Sequence, residues 1–418
     1  MPNFSIPLSG LTAMSTALST ISNNLANLNT TGYKDTTVNF RDMFYQSLGT
    51  NGAGDQLQIG AGASVASINT NFSGGSTQST GVNTDIAITG NGLFVVQNGS
   101  NTNYTRAGNF TRNSAGYLVT ADGYQVQGYP ATNGVVNANG GLGAIQLQDS
   151  MINPPNATST ISVPVNLSAD APVNGTYNTS ITVYDSLGTS HVLGIAFTRL
   201  NATEWNYKVT LPRSEVTAGG TGTTTLLDSS VPAPGTPFSF DTSGNLTGAT
   251  TPIIINIPSL ADGAKAPTLT WNLADSSGKG LITQVSGDSS ALSTNQDGYR
   301  AGTLTDFSIN ADGTIVGAFT NGTKILGQVA LANFANLEGL TKQGSNNYAA
   351  TMSSGSAVIG PPGTGSLGVL TGKSLELSNV DMSQEFSSLI IAQRGFQANA
   401  KSVTTFDQIA QDTISMIR

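Results

Sequence analysis

Cysteine is absent from this 418-residue chain, histidine occurs once, and only 10% of the side chains are charged. The lack of cysteine removes disulfides, thiolate metal ligands and cysteine nucleophiles together. The single histidine, His191, lies in the alternating stretch SHVLGIAF. Without cysteine beside it, one histidine supplies neither a zinc site nor a nucleophile–base pair, so it reads as a strand residue. The 16 basic residues are scattered and outnumbered by 24 acidic ones, for a net charge of −8. That balance argues against a phosphate-backbone partner, which calls for Lys and Arg concentrated on one face, so no nucleic acid is expected. Long apolar runs are missing too. Stretches such as IIINI at 253–257 are far too short to cross a bilayer as a helix, and the chain is not expected to be membrane-integral. The first basic residue is Lys34, and the early leucines are spaced by Ser, Thr and Asn, so no cleaved secretory signal is expected.

What is present is organised from the ends inward. The length allows two or three compact units. Up to Lys34 the chain carries no charged side chain, and Leu11, Met14, Leu18, Ile21, Leu25 and Leu28 follow one another at alternating steps of 3 and 4. That is a heptad seam, and a helix with one apolar stripe is marginal in water until the stripe is covered. At the other end the same spacing runs through Met382, Phe386, Leu389, Gln393, Phe396, Ala400, Val403, Asp407, Ala410, Ile414 and Ile417, with only Gln393 and Asp407 breaking it. Ile390, Phe406, Ile409 and Met416 form a second stripe beside the first. The expectation is that residues 1–30 and 375–418 pair through their seams as a coiled-coil-like inner domain. A helical hairpin resting on the protein's own core competes with this reading, but it leaves the second stripe wet.

Between the helices the chain reads as β. Short runs of Val, Ile, Phe and Tyr are punctuated by Gly, Ser, Thr and Asn. One unit recurs at fixed offsets: Phe110, Asn113, Gly116 and Leu118; Phe238, Asp241, Gly244 and Leu246; Phe307, Asn310, Gly313 and Ile315. Each reads as a hairpin with Asn or Asp opening the turn and Gly at a positive φ. The Gly/Ser/Asn-rich stretch over 31–81 reads as an extended connector with only a short central strand. The expected fold class is therefore mainly β, with two β-rich domains in series, the outer (151–289) inserted in the first (82–150 and 290–374), plus the paired terminal helices.

Several chemical motifs fail on inspection. GTGSLG, with Gly363, Gly365 and Gly368, matches a dinucleotide fingerprint, but VLTGKSLELSN follows where a long helix is needed. Gly368, Gly372, Lys373 and Ser374 fall one residue short of a phosphate loop. SINADG resembles half of a calcium loop, yet Phe319 stands where a bidentate Glu is required. Nothing in the sequence pairs two carboxylates as a glycosidase needs. No catalytic, metal or cofactor-binding residue is expected.

The residues do point to a family. ANLNTTGYK at 26–34, with Ala26, Asn27, Thr31, Gly32, Tyr33 and Lys34, resembles the signature near the N-terminus of bacterial flagellar rod and hook axial proteins. TDIAITGNGLFVVQ (84–97) with YTRAGNFTRNSAGYLVTADGYQVQGY (104–129) resembles that family's first β-domain. The ending SNVDMSQEFSSLIIAQRGFQANAKSVTTFDQIAQDTI (378–414), including Ala398 and Asn399, resembles its C-terminal segment. NTSITVYDSLGTSHVLGIAF (178–197) with Trp205 resembles the outer domain of the family's hook branch. The resemblance implies a non-enzymatic subunit that polymerises with itself into a flexible tube. Both terminal helices would line an inner wall around an export channel, with residues 32–34 anchoring the chain where it leaves the first helix. It further implies type III export, and contacts with a rod protein, a hook cap protein and junction proteins. A stiff distal rod protein and, outside the family, a secreted β-rich hydrolase or adhesin are the competing readings.

Overall fold

In a computed structural model, residues 5–50, 56–148, 150–230, 236–247 and 251–416 are described; Ile417 lies outside them. The fold is mainly β with a helix at each end. The first, α1 (Ser5–Ala26), ends four residues before the expected limit, so Leu28 sits in the turn that follows it. The second, α2 (Met382–Met416), opens with Asp381, whose carboxylate accepts the amides of Ser383 and Gln384 as an N-cap. No helix among the described residues is long and apolar enough to cross a membrane.

The chain divides into two units, one made of residues 1–149, 306–318 and 323–418, the other of 150–305 and 319–322. The second unit therefore runs past residue 289, where the sequence reading closed it. The cause is strand pairing: Ser290–Ala291 joins Val165–Ser168, and Asn295–Gln296 joins Thr160–Ser162, so this stretch completes sheets begun more than a hundred residues earlier.

Within the first unit, the expected extended connector is instead two antiparallel ribbons. Strand β1 (Thr36–Asp42) pairs with β2 (Ala63–Thr70), and between them Tyr45–Thr50 pairs with Gln56–Gly60. The signal lay in the alternation of Thr36, Val38 and Phe40, which the surrounding Gly and Ser obscured. This β1–β2 ribbon runs along α1. Asn24 bonds the backbone of Thr36 at one end, and Ser9 accepts the amide of Ala63 at the other. The main sheet of this unit is centred on Leu93–Asn98, paired with Asn101–Thr105 and Gln125–Thr132. Its run LFVV is buried on both faces: Phe94 and Val96 enter a core with Phe110, Leu118 and Val329, while Leu93 and Val95 join Tyr104, Phe334 and Tyr348.

The second unit is built on the meander Thr176–Tyr184, Ser190–Arg199 and Glu204–Pro212. Alternate residues point inward, and Phe197, Tyr207, Phe238 and Trp271 form an aromatic cluster with ring centroids 4.4–6.4 Å apart. The recurrent turn is realised as read. At 113–117, 241–245 and 310–314 the first residue's amide bonds the fifth carbonyl, the fourth amide bonds the first carbonyl, and the glycine has φ near +80°. Asp185–Thr189 and Asp275–Lys279 make the same turn, unrecognised in the sequence because no Phe precedes them at the same offset.

Candidate assembly surface

The two terminal helices pair antiparallel. Asn24 donates to Glu385 across them at 2.9 Å, Met14 lies against Gly395, and Gly10 lies against Asn399. Close approach is possible because the contacts are made by small residues: a β-carbon on Gly10 would stand 2.7 Å from Asn399 Oδ1. Among the described residues of α1, the fully buried ones are Pro7, Ala13, Ala17 and Asn24, and on α2 only Ala392 is fully buried. The helices thus pair as expected, but the leucine seam is not the sealed interior of that pair. Leu11, Met14, Leu18, Ile21, Leu25 and, beyond the helix, Leu28 are half-buried. Periodicity reveals a stripe without saying what covers it.

The apolar stripes of α2 are largely uncovered. Met382, Phe386, Ile390, Phe396, Ile409 and Ile414 are all exposed, with Ile414 at 68% and the neighbouring Ile391 at 71%. Leu389, Val403 and Phe406 are half-buried, as is Asn399, while Ala398 is exposed. In the link between the two ribbons, Phe44 is 92% exposed. Apolar side chains in such numbers along one 35-residue helix form an uncovered apolar surface. A groove of about 490 Å³ opens between α1, β1 and the start of α2, with Ile21, Val38, Phe40 and Ile391 in its walls and Asp35 and Glu385 beside them.

Where the chain leaves α1, the motif residues are held by an ionic cluster. Gly32, at φ +66°, brings its amide to the Glu376 carbonyl at 2.8 Å, and a β-carbon there would strike the Arg106–Ala107 backbone. Lys34, 1% exposed, donates to Glu376 Oε1 at 2.7 Å and to the Ser73 carbonyl at 2.6 Å. Arg106, also buried, donates to Glu376 Oε2 at 2.5 Å and gives three further hydrogen bonds to the carbonyls of Ile88, Gly90 and Gly92. One carboxylate therefore answers two buried cations. Burial pushes the Lys34 ammonium below the ordinary lysine range, and the hydrogen bond and charge of Glu376 oppose that push.

Tyr33 is buried beside this cluster. Its hydroxyl bonds Asn23 and Asn24, and the Lys342 ammonium lies 5.7 Å from its ring centroid. Asn24 bonds both the amide and the carbonyl of Thr36, which splices α1 to β1. Asn27 caps back onto Asn23 and receives the Thr30 hydroxyl, Thr31 offers its carbonyl to Asn346, and Ala26 is exposed. Glu376, Arg106 and Glu385 were missed in the sequence. Glu376 stands 342 residues from Lys34, and nothing local announces the pairing.

Comparison with known proteins agrees with this arrangement. The family profile described as flagella basal body rod protein matches residues 6–34, and the flagellar basal body rod FlgEFG protein C-terminal profile matches 372–416. The flagellar hook protein FlgE/F/G D1 domain matches 87–168, and the flagellar basal body protein FlaE D2 domain matches 155–299. The flagellar hook protein FlgE of Salmonella typhimurium is 36% identical over 99% of this chain and 100% of its own length. Its counterpart in Escherichia coli is 34% identical over 99% of both chains, and that of Treponema pallidum 35% over 98% of both. With both terminal helices, the buried motif and the separate second unit all matched along the full length, the chain belongs to the flagellar hook protein family.

Proposed function

We propose that this chain is the repeating subunit of the bacterial flagellar hook, a self-assembled flexible tube that carries torque from rod to filament and encloses the export channel. The observation that carries the reading is the run of uncovered apolar side chains on α2, from Met382 to Ile414, next to a leucine seam on α1 that is only half covered. Such faces are stable in water only when neighbouring copies complete them. The lack of any charge before Lys34 suits a crowded wall, where an unpaired charge is costly to bury. Low charge and abundant Ser, Thr and Asn suit outer contacts that break and reform as the tube bends, because no single ion pair must be parted in each cycle. In this reading the chain lies in the extracellular hook after type III export, joins a rod protein below and junction proteins above, and assembles beneath a cap protein. The test is negative-stain electron microscopy of the concentrated purified chain. Curved tubes are expected, and particles that stay monomeric at every concentration would overturn the proposal.

A further inference from the structure

The second unit holds a group of side chains that the assembly reading does not use. His191 is 4% exposed and stands between two carboxylates: its Nδ1 is 2.7 Å from Glu215 Oε2, and its Nε2 is 3.2 Å from Asp185 Oδ2. Asp185 is fully buried. Its Oδ1 is already used, accepting the amides of Leu187 and Thr189 at 2.8 Å each, so Oδ2 is the oxygen left facing the ring. The exposed Asp262 completes the group, with one ligand atom each from Asp185, His191 and Asp262 lying within 4.8 Å of one another. Its Oδ1 accepts the Ala264 amide, which fixes the carboxylate in place.

The two contacts of His191 differ in kind. A distance of 2.7 Å to Glu215 is that of a charge-assisted hydrogen bond, which makes Nδ1 the protonated nitrogen. The 3.2 Å separation at Nε2 lies at the long end of the hydrogen-bond range. It falls between the ligand–ligand edges of an octahedron and a tetrahedron, about 2.9 and 3.4 Å, when metal–ligand bonds are about 2.0–2.1 Å. A second partner holding the far ring nitrogen is the arrangement that orients a histidine toward a metal and raises its basicity. We infer that Asp185, His191 and Asp262 form a binding site for one divalent transition-metal cation, with zinc fitting the imidazole and two carboxylate donors, and with Glu215 orienting the imidazole. Counting only histidine and cysteine in the sequence hid it: Asp185 lies six residues before His191, and Asp262 joins them only by folding.

The site has a structural role. Asp185 opens the turn after Thr176–Tyr184, His191 lies on Ser190–Arg199, Glu215 ends the short helix Arg213–Glu215, and Asp262 lies in the loop held by Ala261 on the Glu215 carbonyl. A bound cation ties the 176–199 hairpin, which carries both Asp185 and His191, to the loop that carries Asp262. Asp262, at the surface, gives the cation its way in.

The experiment uses the full chain freed of metal with a chelator, then titrated with zinc chloride by calorimetry and heated with and without zinc. One zinc per chain is expected, with the melting temperature of the second unit rising on the order of 5–10 °C at a hundredfold excess over Kd. Asp262→Asn, an exposed change, and His191→Gln should each lose that rise, and Glu215→Ala should weaken binding about 10–100-fold. Metal-free melting curves of Asp262→Asn and the parent chain should coincide, which separates ligand loss from misfolding. Absence of saturable binding up to about 1 mM zinc, or binding that survives Asp262→Asn unchanged, overturns the site.

Discussion

Gly395 of α2 faces Met14 of α1 so closely that a β-carbon at position 395 would sit 3.0 Å from the Met14 sulfur. The neighbour is the flexible end of a side chain, so Gly395→Ala needs a shift of only a few tenths of an ångström while gaining about 1 kcal/mol of helix propensity. It should leave the melting temperature unchanged or raised. Gly395→Leu cannot be accommodated that way and should part the helices, read as loss of hydrogen-exchange protection in α1. Full protection in the leucine variant would show that the helices do not rely on this approach.

Replacing Glu376 by Gln should destabilise the first unit by about 3–5 kcal/mol, because Lys34 and Arg106 both stay buried and lose their common counter-charge. Lys34→Met removes one cation and leaves the Arg106–Glu376 pair whole, so it should cost less. Calorimetric melting of the two variants orders them; the reverse order would mean that Lys34 and not Glu376 is the centre of the cluster.

Phe386→Ser, Ile390→Ser and Ile391→Ser, combined, should prevent tube formation while the monomer's stability stays within about 0.5 kcal/mol per substitution, since all three side chains are exposed. Leu18→Asp with Leu25→Asp should block tubes as well, but with a loss of monomer stability, because those leucines are half-buried. Electron microscopy and thermal unfolding together distinguish the two outcomes. Normal tubes from the triple serine variant would remove α2 from the interface.

Asp35 and Glu385 face each other's charge near the base of the helices, and burial raises both carboxyls above the usual range, with hydrogen bonds from Asn71 and Asn379 on Asp35 and from Asn24 on Glu385 opposing it. Between the ordinary carboxylate range and the raised folded values, the native chain binds more protons than the unfolded one, so stability falls as pH rises across that interval. Glu385→Gln can still accept the Asn24 bond without the charge. It should raise the melting temperature at neutral pH and lose that advantage in acid. A lower melting temperature at neutral pH would refute the repulsion.

Asn156 and Tyr299 exchange both backbone hydrogen bonds, at 3.0 Å each, so the ends of the stretch between them are already neighbours. Replacing 157–298 by an Asn-Gly turn should therefore leave the first unit folded. Such a chain should still form tubes, with altered bending. A folded variant that never assembles would give the second unit a part in holding the tube together.

Legibility in the sequence followed the range of the forces involved. The terminal helices, the β-rich middle and the Asn/Asp-to-Gly turns rest on neighbours within a few residues, and Gly116, Gly244 and Gly313 took the positive φ that their spacing required. The motif 32–34 was recognisable, but what it grips was not, because Glu376 and Arg106 reach it only through the fold. Heptad spacing exposed the stripes of α1 and α2 and placed Met14 on the seam, but it passed over Gly10 and Gly395, whose small size lets the helices approach. The ribbon at 36–70 was lost among glycines and serines because its apolar alternation is only a few residues long.

The joining of Gly32 and Lys34 to Glu376 also sets an order of events in time. A chain delivered from its N-terminus presents Lys34 early and must wait for 342 further residues before the carboxylate that neutralises it arrives. The strands of the second unit find all their partners between 150 and 322, so that unit has everything it needs to close while the C-terminus is still on its way. The latch between the two ends is the last to shut. Until it does, α1 has only the β1–β2 ribbon beside it and lacks its partner helix.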